Sequence, residues 1–473
     1  MSDRWLYAWG LAAVAFGGAS LVVPLYVVAL GGTAATLGAL AAVAALVGVP
    51  GALVFGRIAD RTGRRRVLVL AALACVAAAL AVVPFTERIA VVIAVNGVVW
   101  FAFAAATPVV TLLAVAGAPE NAWSERIGEL NEYQGVGWAV GLLFGAVWTA
   151  VATRTVGTSA IEGFLLLLAV MAAGSLAAGM RFLPADRDAP SVSARRLTRA
   201  LRRADRFSVR TATFPFTPGR MDVRRFHPRH AAGRFTPTLS IYFVAVFCFF
   251  AGFAAFFAPL PAYLTDVGLG SDGVFLLYLV SSVGAAVFFE RAGRLTARRD
   301  PVALQIGGLV VRGFAIPGVV IIGTLLGVST VGFTVMAAMF AVIGVTWAVI
   351  AVTAGTLVTR LAPPAIRGEA LGVYAALGAL AGGVGSILGG WLASMSYELG
   401  FGAAGVLVLV GAGVLIALRR WTDRREERSM DTAHPANPDR PTDTGHPADT
   451  GGSADPNRSS DAGRTGVEDG GSE

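Results

Sequence analysis

The sequence predicts an all-α membrane protein, with twelve transmembrane helices in two pseudo-symmetric six-helix bundles. Three observations predict it. The composition is too apolar for a soluble domain: of 473 residues, 55% are hydrophobic and only 14% charged, against about 25% charged in ordinary soluble domains. Twelve apolar runs follow one another along the chain. The second half then repeats landmarks of the first.

The runs cover roughly 5–30, 36–55, 67–85, 89–117, 128–152, 160–182, 238–265, 273–289, 302–326, 329–358, 369–396 and 401–420. Each can cross about 30 Å of hydrocarbon at ~1.5 Å per residue. Backbone in lipid must satisfy its own polar groups, so the runs are helices. A barrel would need alternating segments of about ten residues, and these are absent. The first run follows Arg4 and reads as a span rather than a cleaved signal.

All 38 basic residues are arginine. Without lysine the chain has no Walker A phosphate loop and no Schiff-base lysine. Cys75 and Cys248 both fall in apolar runs, so no disulfide framework is expected. The four His lie outside the runs, and no metal site is expected. With the N-terminus inside, the outer loops hold only Arg88 and Arg154, Arg312 lies within a span, and the other 35 arginines fall inside. The positive-inside bias therefore places both termini in the cytoplasm, in the cell (plasma) membrane. The pI near 10.1 follows from this bias, and no nucleic-acid partner is expected.

The domains follow. Residues 1–183 form the first six-helix bundle and 237–421 the second. Between them, 184–236 is a basic cytoplasmic linker. Val192–Phe207 has the spacing of a basic amphipathic helix for anionic headgroups, while a solvated basic linker is the favoured reading. Residues 422–473 read as a disordered acidic tail, with nine acids and three arginines beyond residue 429.

The repeat is a set of ordered matches. Asp60-Arg61-x-Gly63-Arg64 lies over Glu290-Arg291-x-Gly293-Arg294 at a shift of 230. Gly97 and Trp100 lie over Gly344 and Trp347 at 247, and Gly141 and Gly145 over Gly385 and Gly389 at 244. Parallel six-span halves build many secondary transporters, with a substrate site between them.

The segment Gly56-x-x-x-Asp60-Arg61-x-Gly63-Arg64-Arg65, between spans two and three, closely resembles the best-known signature of the major facilitator superfamily. Arg367-Gly368-Glu369-Ala370-Leu371-Gly372, before span eleven, is similar to a second familiar element. The resemblance covers about residues 5–420. It implies alternating access, with Gly56, Asp60, Arg61, Gly63, Arg64 and Arg65 as a gating motif that latches the halves. Glu290, Arg291 and Arg294 would be its weaker second copy. It also implies that spans one, four, seven and ten line the cavity, which makes Asn96, Trp100, Thr107, Phe253, Tyr263, Thr346 and Trp347 candidate cavity residues. Such a wall, aromatic and weakly polar, suits hydrophobic or amphiphilic molecules, or cations held by ring faces. The chain departs from the drug/proton antiporters of the family in two places. Leu142, not proline, follows Gly141, and Asn96 stands near their span-four arginine.

Two ionisable residues inside spans are candidates for coupling. Arg312 lies near mid-depth in span nine, with a structural or a substrate-contacting role. Glu132, in span five, is a proton carrier or a helix-end residue. The expected function is secondary transport of a small organic molecule, leaning to efflux, with H+ as the possible coupling ion and no cofactor. Its partners are the substrate and the lipid bilayer. An uptake permease and a non-transporting sensor or scaffold are the alternatives. A membrane enzyme would need convergent His, Asp or Lys near the interface, which the chain lacks.

Overall fold

A computed structural model describes residues 4–116, 119, 123–155, 160–185, 235–363 and 366–433. The proposed basic helix at 192–207 and most of the linker lie outside these residues. Thirteen α-helices make twelve candidate spans among them. They are α1 (Trp5–Ala29), α2 (Ala34–Thr62), α3 (Arg65–Val82), α4 (Ile89–Val115), α5 (Trp123–Thr155) and α6 (Ala160–Phe182) in the first half. In the second half they are α7 (Pro237–Phe257), α8 (Leu260–Asp266), α9 (Ser271–Arg298), α10 (Pro301–Leu326), α11 (Thr330–Leu361), α12 (Arg367–Met395) and α13 (Tyr397–Ala433). The seventh span is α7 and α8 together. It is broken where Pro259 and Pro261 each lack the N–H that a continuous helix needs.

The chain crosses an even number of times, so Arg4 and Arg419 of α13 share one face, the terminal face. The turns at Gly31, Gly268 and Gly327, all with positive φ, lie at the far face. Side chains cap several far-face helix starts: Thr33 accepts from the Thr36 N–H, and Ser329 from the Gly332 N–H at 3.1 Å.

The two halves repeat one packing scheme. In the first, α1 runs along α5 and α6, α2 along α4, and α3 along α4 and α6. In the second, α7 runs along α12, α9 along α11, and α10 along α11. Contacts to α13 complete it: Gly252 of α7 faces the Ala404 carbonyl, and Gly313 of α10 faces Leu409. The repeated glycines do equivalent work. Gly141 sits against the α1 backbone at Val14, while Gly385 and Gly389 sit against the α7 backbone at Ala251 and Ala255. Gly97 faces Val43 of α2, as Gly344 faces Ser281 of α9. Lipid supplies no hydrophobic drive between helices, so small residues that admit close backbone approach hold the bundle.

The halves meet through α2 on α12 and α5 on α9. A Cβ at Gly38 would lie 2.5 Å from the Ser386 carbonyl oxygen and 3.0 Å from Gly390 Cα. The Phe275 ring fills the space that a Gly145 side chain would need, and packs edge-on to Phe164 at 5.7 Å. These contacts lie in the half of the bundle nearer the far face.

One boundary differs from expectation. Residues 422–433, assigned to the disordered tail, continue α13 as far as Ala433. No Gly or Pro interrupts 414–433, and Asp423, Glu426 and Glu427 alternate with arginines at helical spacing. The rest of the tail lies outside the described residues.

Gly17 and Gly413 make opposite cases. A Cβ at Gly17 would fall 2.5 Å from the Trp138 carbonyl oxygen, whereas one at Gly413 meets open space. Gly17→Ala should destabilise the purified protein by about 1–3 kcal/mol. Gly413→Ala should be neutral or stabilise by up to about 1 kcal/mol. Thermal unfolding of both variants in one detergent checks this, and equal Tm values would refute the close-packing account.

Candidate functional site

A cavity of about 80 Å³ lies between the halves. That is room for about five waters at ~15 Å³ each. Ser20, Leu21 and Pro24 of α1, Leu37, Leu40, Ala41, Ala44 and Ala45 of α2, and Asn96 and Trp100 of α4 line it from the first half. Phe257, Ala258 and Pro261 at the α7/α8 break, Tyr278 of α9 and Ser386 of α12 line it from the second. All are within about 17 Å of the far-face helix ends at ~1.5 Å per residue.

The cavity wall is held from behind. Trp100 packs edge-on to Phe16 at 5.0 Å, and Phe16 stacks on Phe103 at 3.8 Å. Ser20 donates to its own helix at the Gly17 carbonyl, 2.7 Å away. The polar groups facing the space are neutral: Ser20, Asn96, Tyr278 and Ser386, with the indole of Trp100. Behind the second-half wall, Phe257 stacks edge-on to Tyr278 at 6.1 Å.

Asn96 and Trp100 are the expected cavity residues that line this space. Thr107 is buried deeper along α4 and donates to the Phe103 carbonyl at 2.9 Å. Tyr263 is a correction: its hydroxyl donates to the carbonyls of Val319 and Val320, and its ring packs on Tyr397 and Phe401. It ties α8 to α10 and does not line the cavity. Phe253, Thr346 and Trp347 gather instead around Arg312. That side chain is 1% exposed. Its Nη1 donates to the Ile343 carbonyl at 2.7 Å, with Thr346 Oγ1 at 3.5 Å. Its guanidinium lies 4.2 Å from the Phe253 ring centre, 5.6 Å from Phe257 and 5.9 Å from Trp347. A charge at mid-depth is thus spread over three ring faces and a carbonyl.

Glu132 is exposed on α5 and does not line the cavity. Its neighbours bind the first half together: Gln134 accepts from Trp9 Nε1 at 3.3 Å, and Tyr133 packs edge-on to Tyr7 at 5.3 Å.

At the terminal face, Gly63 caps α2 with φ 66° and ψ −2°. Its N–H reaches the Ala59 carbonyl, and the Arg65 N–H returns to the Gly63 carbonyl. Arg64 is exposed, Arg65 is buried, and Arg66 donates to the Met180 carbonyl at the end of α6. The side chains of Gly56, Asp60 and Arg61 lie outside the description, as do those of Arg367 and Glu369. The second copy is not a turn. Glu290, Arg291 and Arg294 sit within α9, which continues to Arg298. Glu290 and Arg294 form an exposed i,i+4 ion pair at 3.4 Å, of small energetic weight. Arg291 reaches the Val287 carbonyl of its own helix. The turn lies at Arg299 and Asp300, where Asp300 caps α10 through the Val302 N–H at 2.9 Å and pairs with Arg419 at 3.3 Å.

Sequence reasoning missed Ser20, Phe257, Tyr278 and Ser386. The proline pair at 259 and 261 is a signal that could have marked the stretch around Phe257 as irregular.

The two motif glycines separate the turn from its helical copy. Gly63→Ala should lose about 1–2 kcal/mol, because its φ is left-handed. Gly293→Ala, inside a helix with open space around it, should gain up to about 1 kcal/mol. Thermal unfolding of both variants decides, and equal losses would contradict the two geometries.

No curated protein sequence matches the chain. Solved structures resemble it as folds. A point mutant of the nucleoside transporter NupG has a TM-score of 0.64 at 13% identity, covering 88% of this chain and 97% of its own. A bacterial homologue of the human lysosomal transporter Spinster, in an inward-facing and unoccupied conformation, has a TM-score of 0.63 at 14% identity, with 88% and 96% covered. The human organic anion transporter MFSD10 has a TM-score of 0.50 at 17% identity, with 87% and 98% covered. The sequence profile described as Major Facilitator Superfamily matches residues 6–322. The chain belongs to the major facilitator superfamily.

Proposed function

We propose that the protein is a secondary transporter that moves a small amphiphilic organic molecule by alternating access, in the direction of export. The cavity between the halves carries the reading. Its walls are apolar with a few neutral hydrogen-bonding groups, the make-up of a small-molecule site. The terminal face, with the arginine excess, is cytoplasmic. Apolar walls suit a substrate that collects in the bilayer, which favours export. The four neutral groups Ser20, Asn96, Tyr278 and Ser386 would also suit uptake of a polar metabolite, the second reading.

The far-face seal is backbone against backbone at Gly38 and Gly390. A larger side chain there should wedge α2 from α12 and favour opening toward the far face. The test uses a single cysteine at the cavity, Ser20→Cys, with Cys75→Ala and Cys248→Ala. A membrane-impermeant maleimide should label it from either side of oriented vesicles. Adding Gly390→Val should raise far-face labelling about fivefold or more and lower labelling from the terminal face. Labelling from one side alone, unchanged by Gly390→Val, would reject alternating access. Export predicts outward flux of a fluorescent amphiphile from vesicles loaded with it, and net inward accumulation would favour the uptake reading.

A further inference from the structure

We infer that the transported molecule carries a negative charge, and that Arg312 sets this preference. The inference rests on the transport reading of the central cavity and names its substrate class.

Arg312 is a buried cation with no ion pair among the described residues. The elements packed against it present only neutral groups to it: Phe253 and Phe257 from α7, Ile343, Thr346 and Trp347 from α11, and Leu409 from α13 beside the neighbouring Gly313. One nitrogen is partnered, through Nη1. Arg312 Nε and Trp347 Nε1 are both buried N–H donors that find no acceptor among the described residues. Buried donors are rarely left without partners, and an intramembrane charge is costly unless compensated. Both shortfalls are of one sign, since acceptors and negative charge are what is missing.

This charge stands next to the cavity. Phe257 is shared: its ring centre lies 5.6 Å from the guanidinium, and the same residue lines the cavity. The cavity residues include no carboxylate and no other cation. In a medium of low dielectric, one uncompensated charge beside a residue of the wall dominates the potential inside. A cation entering the cavity meets Arg312 with no counter-charge between them. An organic anion supplies the missing charge, while its apolar body takes the Trp100 and Phe257 side. The preferred class is a monoanionic amphiphile, such as an aromatic carboxylate or sulfonate, over its neutral and cationic counterparts.

The test compares three near-isosteres: 1-naphthoate, 1-naphthamide and 1-naphthylmethylammonium. Equilibrium dialysis measures their binding to the full chain in nanodiscs of zwitterionic lipid, with empty nanodiscs subtracted. The wild type should bind naphthoate at least about tenfold more tightly than the ammonium compound, with the amide between. In Arg312→Gln the three should converge to within about twofold, and Arg312→Lys should keep the wild-type order. The ranking in the wild type is a test on its own, whether or not Arg312→Gln folds. Equal or tighter binding of the ammonium compound overturns the inference. So does a naphthoate preference that persists in well-folded Arg312→Gln. If none of the three binds while the cavity cysteine still alternates between faces, alternating access stands and the charge assignment falls. If all three bind alike, the amphiphile site stands and the charge assignment again falls.

Discussion

Close approach of helix backbones at glycine is the constraint on which this structure depends. Lipid tails are as apolar as leucine, so burying leucine between two helices gains little over leaving it in the bilayer. What remains is packing density, and that is highest where no side chain separates the backbones. Gly17 against Trp138, Gly141 against Val14, Gly385 against Ala251 and Gly389 against Ala255 give each half its fixed frame. The contact of Gly38 with Gly390 uses the same device between halves. The same physics thus holds each bundle rigid and seals one bundle to the other. At Gly38 and Gly390 the seal is made of small surfaces, whereas at Gly145 the Phe275 ring of the other half is inserted.

Against this apolar frame, polar groups are placed sparingly and are mostly turned inward on themselves. Thr107, Thr149, Thr296 and Thr353 return their hydroxyls to carbonyls of their own helices. Tyr242 donates to Gln305 across two fully buried side chains, and Ser175 joins α6 to α1 through the Ala8 carbonyl. Arg312 stands apart because its satisfaction is partial and its charge has no opposite among the described residues. It gives the second half an electrostatic character that the first half, with neutral Asn96 and Trp100 at its wall, does not have.

The spans were legible because lipid imposes a length and an apolar composition that few residues can disguise. The repeat was legible in Gly97 and Gly344, each of which faces the helix paired with its own, α2 and α9, although Trp100 lines the cavity and Trp347 packs beside Arg312. The match of Asp60–Arg64 to Glu290–Arg294 misled on local structure. A five-residue match does not fix the backbone: Gly63 takes a left-handed conformation and ends α2, while Gly293 stays helical in α9. Asn96 and Trp100 could be placed at the cavity from the family resemblance. Ser20, Phe257, Tyr278 and Ser386 could not, since Ser and Phe occur throughout the spans and only packing decides which face meets the other half. Arg312 announced itself as an intramembrane charge, but its partners lie 31 to 59 residues away in sequence, where no spacing rule reaches.

The break in the seventh span divides it into a long part built into its own bundle and a short part that also touches the other half. α7 is clamped by α12 and α13 along its length. α8 is seven residues long, lies against α1 and α2 of the other half as well as against α9, and is tethered by Tyr263 to α10 and by Asp266 to Tyr397. Pro261 of the break lines the cavity. A rigid segment of about 10 Å, at ~1.5 Å per residue, therefore stands at the far end of the cavity and touches both halves at once. Any movement of one bundle against the other must change its contacts with α1 and α2, while the bonds of Tyr263 and Asp266 keep it with the second half.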